Sequence, residues 1–157
     1  MSDAVPLRAA EGAADMAIVA ALFREYQQGL GVSLCFQDFE RELAELPGAY
    51  APPGGIVFLA ERGAQALGVG ALRALGPGIA EMKRLYVRPA ARGLGLGRKI
   101  AFALVAEAKR CGYASMRLDT LPHLSAAIAL YADMGFRPIA AYNDNPIAGV
   151  QHYELSL

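Results

Sequence analysis

Apolar residues recur along the chain with two different periods. Met16, Val19, Leu22, Phe23, Tyr26 and Leu30 follow at helical spacing, predicting an amphipathic helix over 15–30, with Gly29 and Gly31 as its stop. A second helix is predicted over 37–46, ended by Pro47-Gly48, and Pro52-Pro53-Gly54-Gly55 reads as a loop. Ile100, Leu104, Ala108 and Cys111 share one face of a helix over 97–110, with Gly112 where a C-terminal glycine belongs. Ile128, Tyr131 and Met134 mark a helix over 125–134, closed by Gly135. Short apolar runs predict strands over 5–9, 56–61, 65–75, 79–87, 114–119, 136–142 and 150–157, the second and third joined by a turn at Arg62-Gly63-Ala64.

The resulting order, β-α-α-β-β-β-α-β-α-β-β, describes an α/β fold, one mixed sheet with helices on both faces. No repeat, low-complexity tract or linker divides the chain, so 1–157 reads as a single domain, a length that supports one core. Fifteen basic and fifteen acidic side chains cancel, giving no global reason to expect nucleic acid or an anionic membrane as partner. No apolar run approaches the roughly 20 residues that cross a bilayer, and the first residues lack the pattern of a secretory signal. Cys35 and Cys111 cannot make a disulfide framework, and no Cys/His cluster has metal-ligand spacing. A cytoplasmic protein without a metal is expected.

The distribution of charge says more than its sum. Between Met82 and Ala106 there is no Asp or Glu, yet Lys83, Arg84, Arg88, Arg92, Arg98 and Lys99 all fall there. They surround Arg92-Gly93-Leu94-Gly95-Leu96-Gly97-Arg98-Lys99, a glycine-rich turn between a strand and a helix. A helix N-terminus offers unsatisfied N–H groups and a partial positive charge, and glycines let a phosphate approach that backbone. A solvated basic face is the alternative. The phosphate-loop pattern fails here, since Ile100 stands where its hydroxyl residue belongs, and Gly-x-Gly-x-x-Gly fails from either starting glycine.

Arg92-x-x-Gly95-x-Gly97 resembles the Arg/Gln-x-x-Gly-x-Gly/Ala signature of the GNAT superfamily of N-acetyltransferases. The run from Glu81 to Pro89 resembles that family's fourth strand, and Leu130-Tyr131-Ala132-Asp133-Met134-Gly135-Phe136 its late Leu-Tyr-x-x-x-Gly-Phe motif. The resemblance implies a mostly antiparallel sheet, acetyl-CoA as co-substrate and acetyl transfer to a primary amine. It places pantetheine on the backbone of Leu85, Tyr86 and Val87, with the Val87 N–H polarising the thioester carbonyl. It gives the pyrophosphate to backbone N–H groups of Arg92, Gly93, Leu94, Gly95, Leu96, Gly97 and Arg98, with Arg92, Arg98 and Lys99 side chains adding charge.

Two residues would carry the chemistry. Tyr131 matches the family's general acid toward the departing thiolate; full transfer from an ordinary phenol is uphill by roughly 2 kcal/mol, whereas a hydrogen bond to sulfur is not. Glu81 matches a carboxylate that serves some members as base, although Lys83, on the same side of a regular strand, makes a surface pair the competing reading. Ser125 stands where the family's usual asparagine is absent, as a polar contact or helix cap. His123, His152 and the cysteines read as structural. The acceptor would meet residues 29–38 and the loop Tyr142-Asn143-Asp144-Asn145-Pro146, with Asp38, Glu40, Asp133 and Asp144 as candidates for an ammonium. Amino acids, polyamines, aminoglycosides, peptide N-termini and lysine side chains all remain open as acceptors. A non-catalytic coenzyme A sensor is the alternative function, a nucleotide-binding regulatory domain a weaker one, and a homodimer is common among such proteins.

Overall fold

Alternation along the strands sorts side chains onto two faces, and each face acquires its own helices. In the computed structural model, which describes residues 5–31 and 38–157, the strands are β1 (Leu7–Ala9), β2 (Ile56–Arg62), β3 (Gln65–Gly76), β4 (Ile79–Val87), β5 (Ser115–Thr120), β6 (Arg137–Ile139) and β7 (Gln151–Ser156). The helices are α1 (Gly12–Leu30), α2 (Phe39–Ala44), α3 (Leu96–Arg110) and α4 (Ser125–Met134). Cys35 and the expected helix start at Gln37 lie outside the described residues.

One seven-stranded sheet runs β1-β2-β3-β4-β5-β7-β6. Every pairing is antiparallel except β4 with β5. Leu72, Met82, Met116 and Leu118 pack with Ile100, Leu104 and Tyr131 from α3 and α4. Val57, Leu59, Val69 and Ala71 pack on the other face with Val19, Leu22 and Phe23 of α1 and with Phe39 and Leu43 of α2. The α3 contact is close because Gly70 has no side chain: a Cβ there would stand 2.5 Å from Ile100 Cγ2.

Two local features position the site. β4 pairs with β5 only through Ile79, Ala80 and Glu81, the last opposite Arg117, while β5 pairs with β7 along its whole length. Beyond Glu81 the two strands part. In the same stretch, the register between β3 and β4 shifts from Val69–Tyr86 to Ala71–Lys83, leaving Arg84 and Leu85 opposite the one residue Gly70. This bulge puts Arg84 at φ 60°, a left-handed conformation that a non-glycine residue adopts at a cost.

The element order agrees with the sequence reading, but the expected turn Arg62-Gly63-Ala64 shortens to Gly63-Ala64, since Arg62 pairs with Gln65 at the end of β2. The expected strand over 136–142 shortens to Arg137–Ile139. Pro138 cannot donate to a ladder, and the chain after Ile139 leaves the sheet to make side-chain contacts described below.

Candidate active site

The parted strands open a cleft whose inner walls come from four elements and two loops. Its inner part is a cavity of about 50 Å³ whose lining includes Tyr26 of α1, Lys83, Arg84 and Leu85 of β4, Asp119 of β5, Tyr131 of α4 and Asn145. It continues into a groove of about 430 Å³ lined by Leu85, Tyr86, Val87, Arg92, Gly97, His123 and Ser125. Tyr26, Leu85 and Ala127 line both.

The wall of this groove is backbone. Arg88 N–H donates to the Leu67 carbonyl at 2.9 Å. Hydrogen-bonding direction alternates along an antiparallel strand, so the polar groups of Val87, opposite Gly68, turn away from β3 toward the opening. Those of Leu85 do the same. Among the described residues no strand answers them on that side.

At the groove's end stands the glycine-rich turn. Gly93 and Gly95 have φ of 88° and 73°, the left-handed region that glycine enters at little cost. A Cβ on either would meet no atom within 4 Å, so backbone conformation, not packing, demands glycine. Gly95 is the N-cap of α3 and offers no side chain to cap it. The first N–H groups of the helix are therefore left without a side-chain cap, as in helix termini that bind anions.

The basic run is dispersed by the fold. Arg88 pairs with Glu25 of α1, Nε to Oε1 at 2.9 Å. Arg84 is 4% exposed and makes a two-pronged pair with Glu42 of α2 at 3.0 and 2.8 Å. Arg98 pairs with Asp133, and Lys99 donates its Nζ to the Val5 carbonyl. The Lys99 side chain is thus engaged at the start of the chain. Arg92 lines the groove, its Nε 3.4 Å from the Val87 carbonyl. Ser125 lines the groove too, as the first residue of α4 rather than its cap, which is Leu124.

Tyr131 reaches the cavity because its helix ends sharply. Gly135 at φ 98° closes α4, Gly135 N–H donating to the Ala132 carbonyl and Phe136 N–H to that of Tyr131. The Phe136 ring meets the Tyr131 ring edge-on at 5.6 Å. Burial pushes the Tyr131 phenol well above its ordinary value, with Tyr26 and Asp119 adding to the rise.

Glu81 is placed differently from the surface pair with Lys83. It is 1% exposed, receives Arg73 on Oε1 at 2.8 Å, and receives the Tyr142 hydroxyl on Oε2 at 2.7 Å. It does not line the cavity; Lys83, two residues on, does. Burial first, and then the Arg84 charge, lower the Lys83 amine from its ordinary range to about 8.

The loop after β6 is tied down by polar side chains. Asn143 and Asn145 each donate to Asp119 Oδ2, at 2.9 and 3.1 Å, and His152 Nε2 lies 2.9 Å from Asn143 Oδ1. His152 is therefore a structural histidine. Among the acids named for the acceptor, Asp133 and Glu40 pair with Arg98 and Arg24, and neither Asp38 nor Asp144 lines the cavity. The carboxylate at the cavity is Asp119, which sequence reasoning missed. Strand alternation against Met116 and Leu118 was the available signal.

Together the parted strands, the helix terminus and the buried phenol border one continuous cleft. The model of the acetyltransferase (GNAT) family matches residues 19–136, and the chain belongs to that family, as an acyltransferase. It is 42% identical over 138 residues to an uncharacterized N-acetyltransferase of Schizosaccharomyces pombe, covering 87% of this chain and 85% of the relative. A Salmonella typhimurium acetyltransferase of L-methionine sulfoximine and L-methionine sulfone is 42% identical over 52 residues, 33% of this chain and 30% of that protein. A Salmonella typhimurium structure solved with its cofactor acetyl-CoA shares the fold, with a TM-score of 0.74 and 24% identity over 98% of this chain and 94% of its own. Among the described residues there is no cluster of potential metal ligands and no helix long and apolar enough to cross a membrane.

Proposed function

We propose that this protein transfers the acetyl group of acetyl-CoA to the primary amine of a small molecule, by direct attack on the thioester. One observation carries the reading: beyond Glu81 the backbone of β4 faces an opening without a strand partner, with a glycine-built helix terminus at one end and a buried tyrosine at the other. The residues present suit acetyl-CoA. The N–H groups of Leu96, Gly97 and Arg98 take its diphosphate with Arg92, and the backbone of Leu85 and Val87 takes the pantetheine amides. Bound there, acetyl-CoA supplies an acyl carbon activated by a thiolate leaving group.

The thioester carbonyl belongs at Leu85 rather than at Val87. Leu85 lines the cavity with Tyr131, whereas Val87 lines only the outer groove beside Arg92 and Gly97. Its N–H stabilises the oxyanion that forms as the amine adds, a contribution of roughly 3 kcal/mol when one such donor is lost. Tyr131 hydrogen-bonds the sulfur as the C–S bond breaks. Its raised pKa keeps the phenol protonated, so that it remains a hydrogen-bond donor to the sulfur throughout. Glu81 holds the acceptor side together, joining Arg73 of β3 to Tyr142 of the loop. The small cavity favours a small acceptor, as does the relative that acetylates an amino-acid analogue.

Release of coenzyme A thiol from acetyl-CoA, followed across a panel of small amines, tests this reading. The wild type releases thiol with at least one amine, and Tyr131→Phe lowers kcat by about 10²–10³ with acetyl-CoA affinity retained. A Tyr131→Phe variant as fast as the parent would remove the phenol from the reaction.

A further inference from the structure

We infer that Lys83, not the carboxylate of Glu81, takes the proton released by the attacking amine. This rests on the acetyltransferase reading above and deepens it.

The geometry separates two groups that the sequence placed together. Glu81 and Lys83 lie two residues apart on β4, opposite Arg73 and Ala71 of β3, and so share the face beneath α1 and α2. Glu81 stands where β4 is still paired to β5. Its two oxygens receive Arg73 and Tyr142, and it does not line the cavity. Lys83 stands just past the point of parting, and it lines the cavity beside Leu85, Tyr131 and Asp119. An amine approaching the thioester at Leu85 meets Lys83 before it could meet Glu81.

Every element packed around Lys83 contributes a charged or titratable neighbour. Glu81 and Arg84 come from β4, Arg73 from β3, Asp119 from β5, Glu42 from α2, Tyr26 from α1 and Tyr131 from α4. Arg73 and Arg84 are matched by Glu81 and Glu42. Burial and the Arg84 and Arg73 charges favour the neutral amine, while Glu81 and Asp119 favour the ammonium. The outcome is a base that titrates near the pH at which it must work, the condition that makes proton transfer efficient.

The step balances. The acceptor nitrogen bonds to the thioester carbon and its proton passes to the neutral Lys83 amine. The oxyanion then collapses, the C–S bond breaks, and coenzyme A leaves as a thiolate that accepts a hydrogen bond from Tyr131. The thiolate takes its proton from water, and Lys83 as ammonium returns to the neutral amine by exchange with water.

The test compares wild type with Lys83→Met and Lys83→Arg, using an alkylamine acceptor and an aryl amine that is already neutral at pH 7. Acetyl-CoA binding is followed by calorimetry, and the Lys83 pKa in the intact protein by pH-dependent labelling read by mass spectrometry. Expected is a loss of about 10²–10³ in kcat for both variants with the alkylamine. The loss shrinks at least tenfold with the weakly basic acceptor, acetyl-CoA affinity holds, and Lys83 labels with a pKa near 8. Equal losses for both acceptors, an unchanged pH profile in Lys83→Met, a labelling pKa near the ordinary 10.4, or accumulation of acetyl-Lys83 without acceptor would each overturn the assignment. In those cases acetyl-CoA would still bind. Absence of binding by wild type would instead overturn the acetyltransferase reading, and the Lys83 assignment with it.

Discussion

The two ends of the cleft are built by different means. The end proposed for the cofactor is a continuous run from Leu85 to Arg98, and the groups assigned to it are main-chain amides at a parted strand and a glycine-capped helix. The end proposed for the acceptor is assembled from side chains far apart in sequence. Arg84 meets Glu42 across 42 residues, Tyr142 meets Glu81 across 61, and Asn143 meets Asp119 across 24. A backbone site depends on conformation, so it tolerates change in most side chains. A side-chain site depends on pairing, and can be altered by exchanging one partner.

That contrast orders the expected responses to substitution. The largest belongs to Glu42→Ala. It leaves Arg84 buried at the bulge without its carboxylate, which should cost about 3–5 kcal/mol in urea unfolding, with acetyl-CoA affinity per folded molecule nearly unchanged. Stability equal to the parent would mean that the bulge relaxes when the pair is broken. Gly95→Val comes next. A β-branched residue at φ 73° is strained by roughly 1–2 kcal/mol, so the acetyl-CoA Kd should rise about tenfold while kcat at saturation holds. A fall in kcat with Kd unchanged would contradict a binding role for this turn. Glu81→Gln is expected to be smaller still: a severalfold rise in acceptor KM, through the loosened Tyr142 loop, with the pH dependence of kcat unaltered. A loss confined to low pH would return the base role to Glu81.

Legibility in the sequence followed the same division. The glycines of the turn, the Leu-Tyr-x-x-x-Gly-Phe run and the element order could be read because each is a local pattern with a local cause. Gly135 ends α4 and thereby fixes Tyr131 against Phe136, a consequence contained within six residues. The acceptor end could not be read in this way. The basic run looked like one patch, yet Arg84, Arg88 and Arg98 go to Glu42, Glu25 and Asp133 on three different helices. Nothing local announces that Arg84 will take a left-handed conformation, because the bulge is imposed by the register against Gly70. The strand expected over 136–142 stops early for a similar reason: Tyr142, Asn143 and Asn145 are drawn to Glu81 and Asp119, partners that only the folded sheet supplies. Asp119 itself was hidden among many acids, distinguished only by alternation with Met116 and Leu118.

Backbone amide resonances of the wild type, followed while acetyl-CoA is titrated in, test the division most directly. The amides of Leu85, Val87, Leu96, Gly97 and Arg98 should move together with one affinity, while those of Asn143 and Asn145 stay nearly still until an amine is added. Shifts that spare β4 and the start of α3, or that centre on the loop after β6, would contradict the placement of the thioester in the opened sheet.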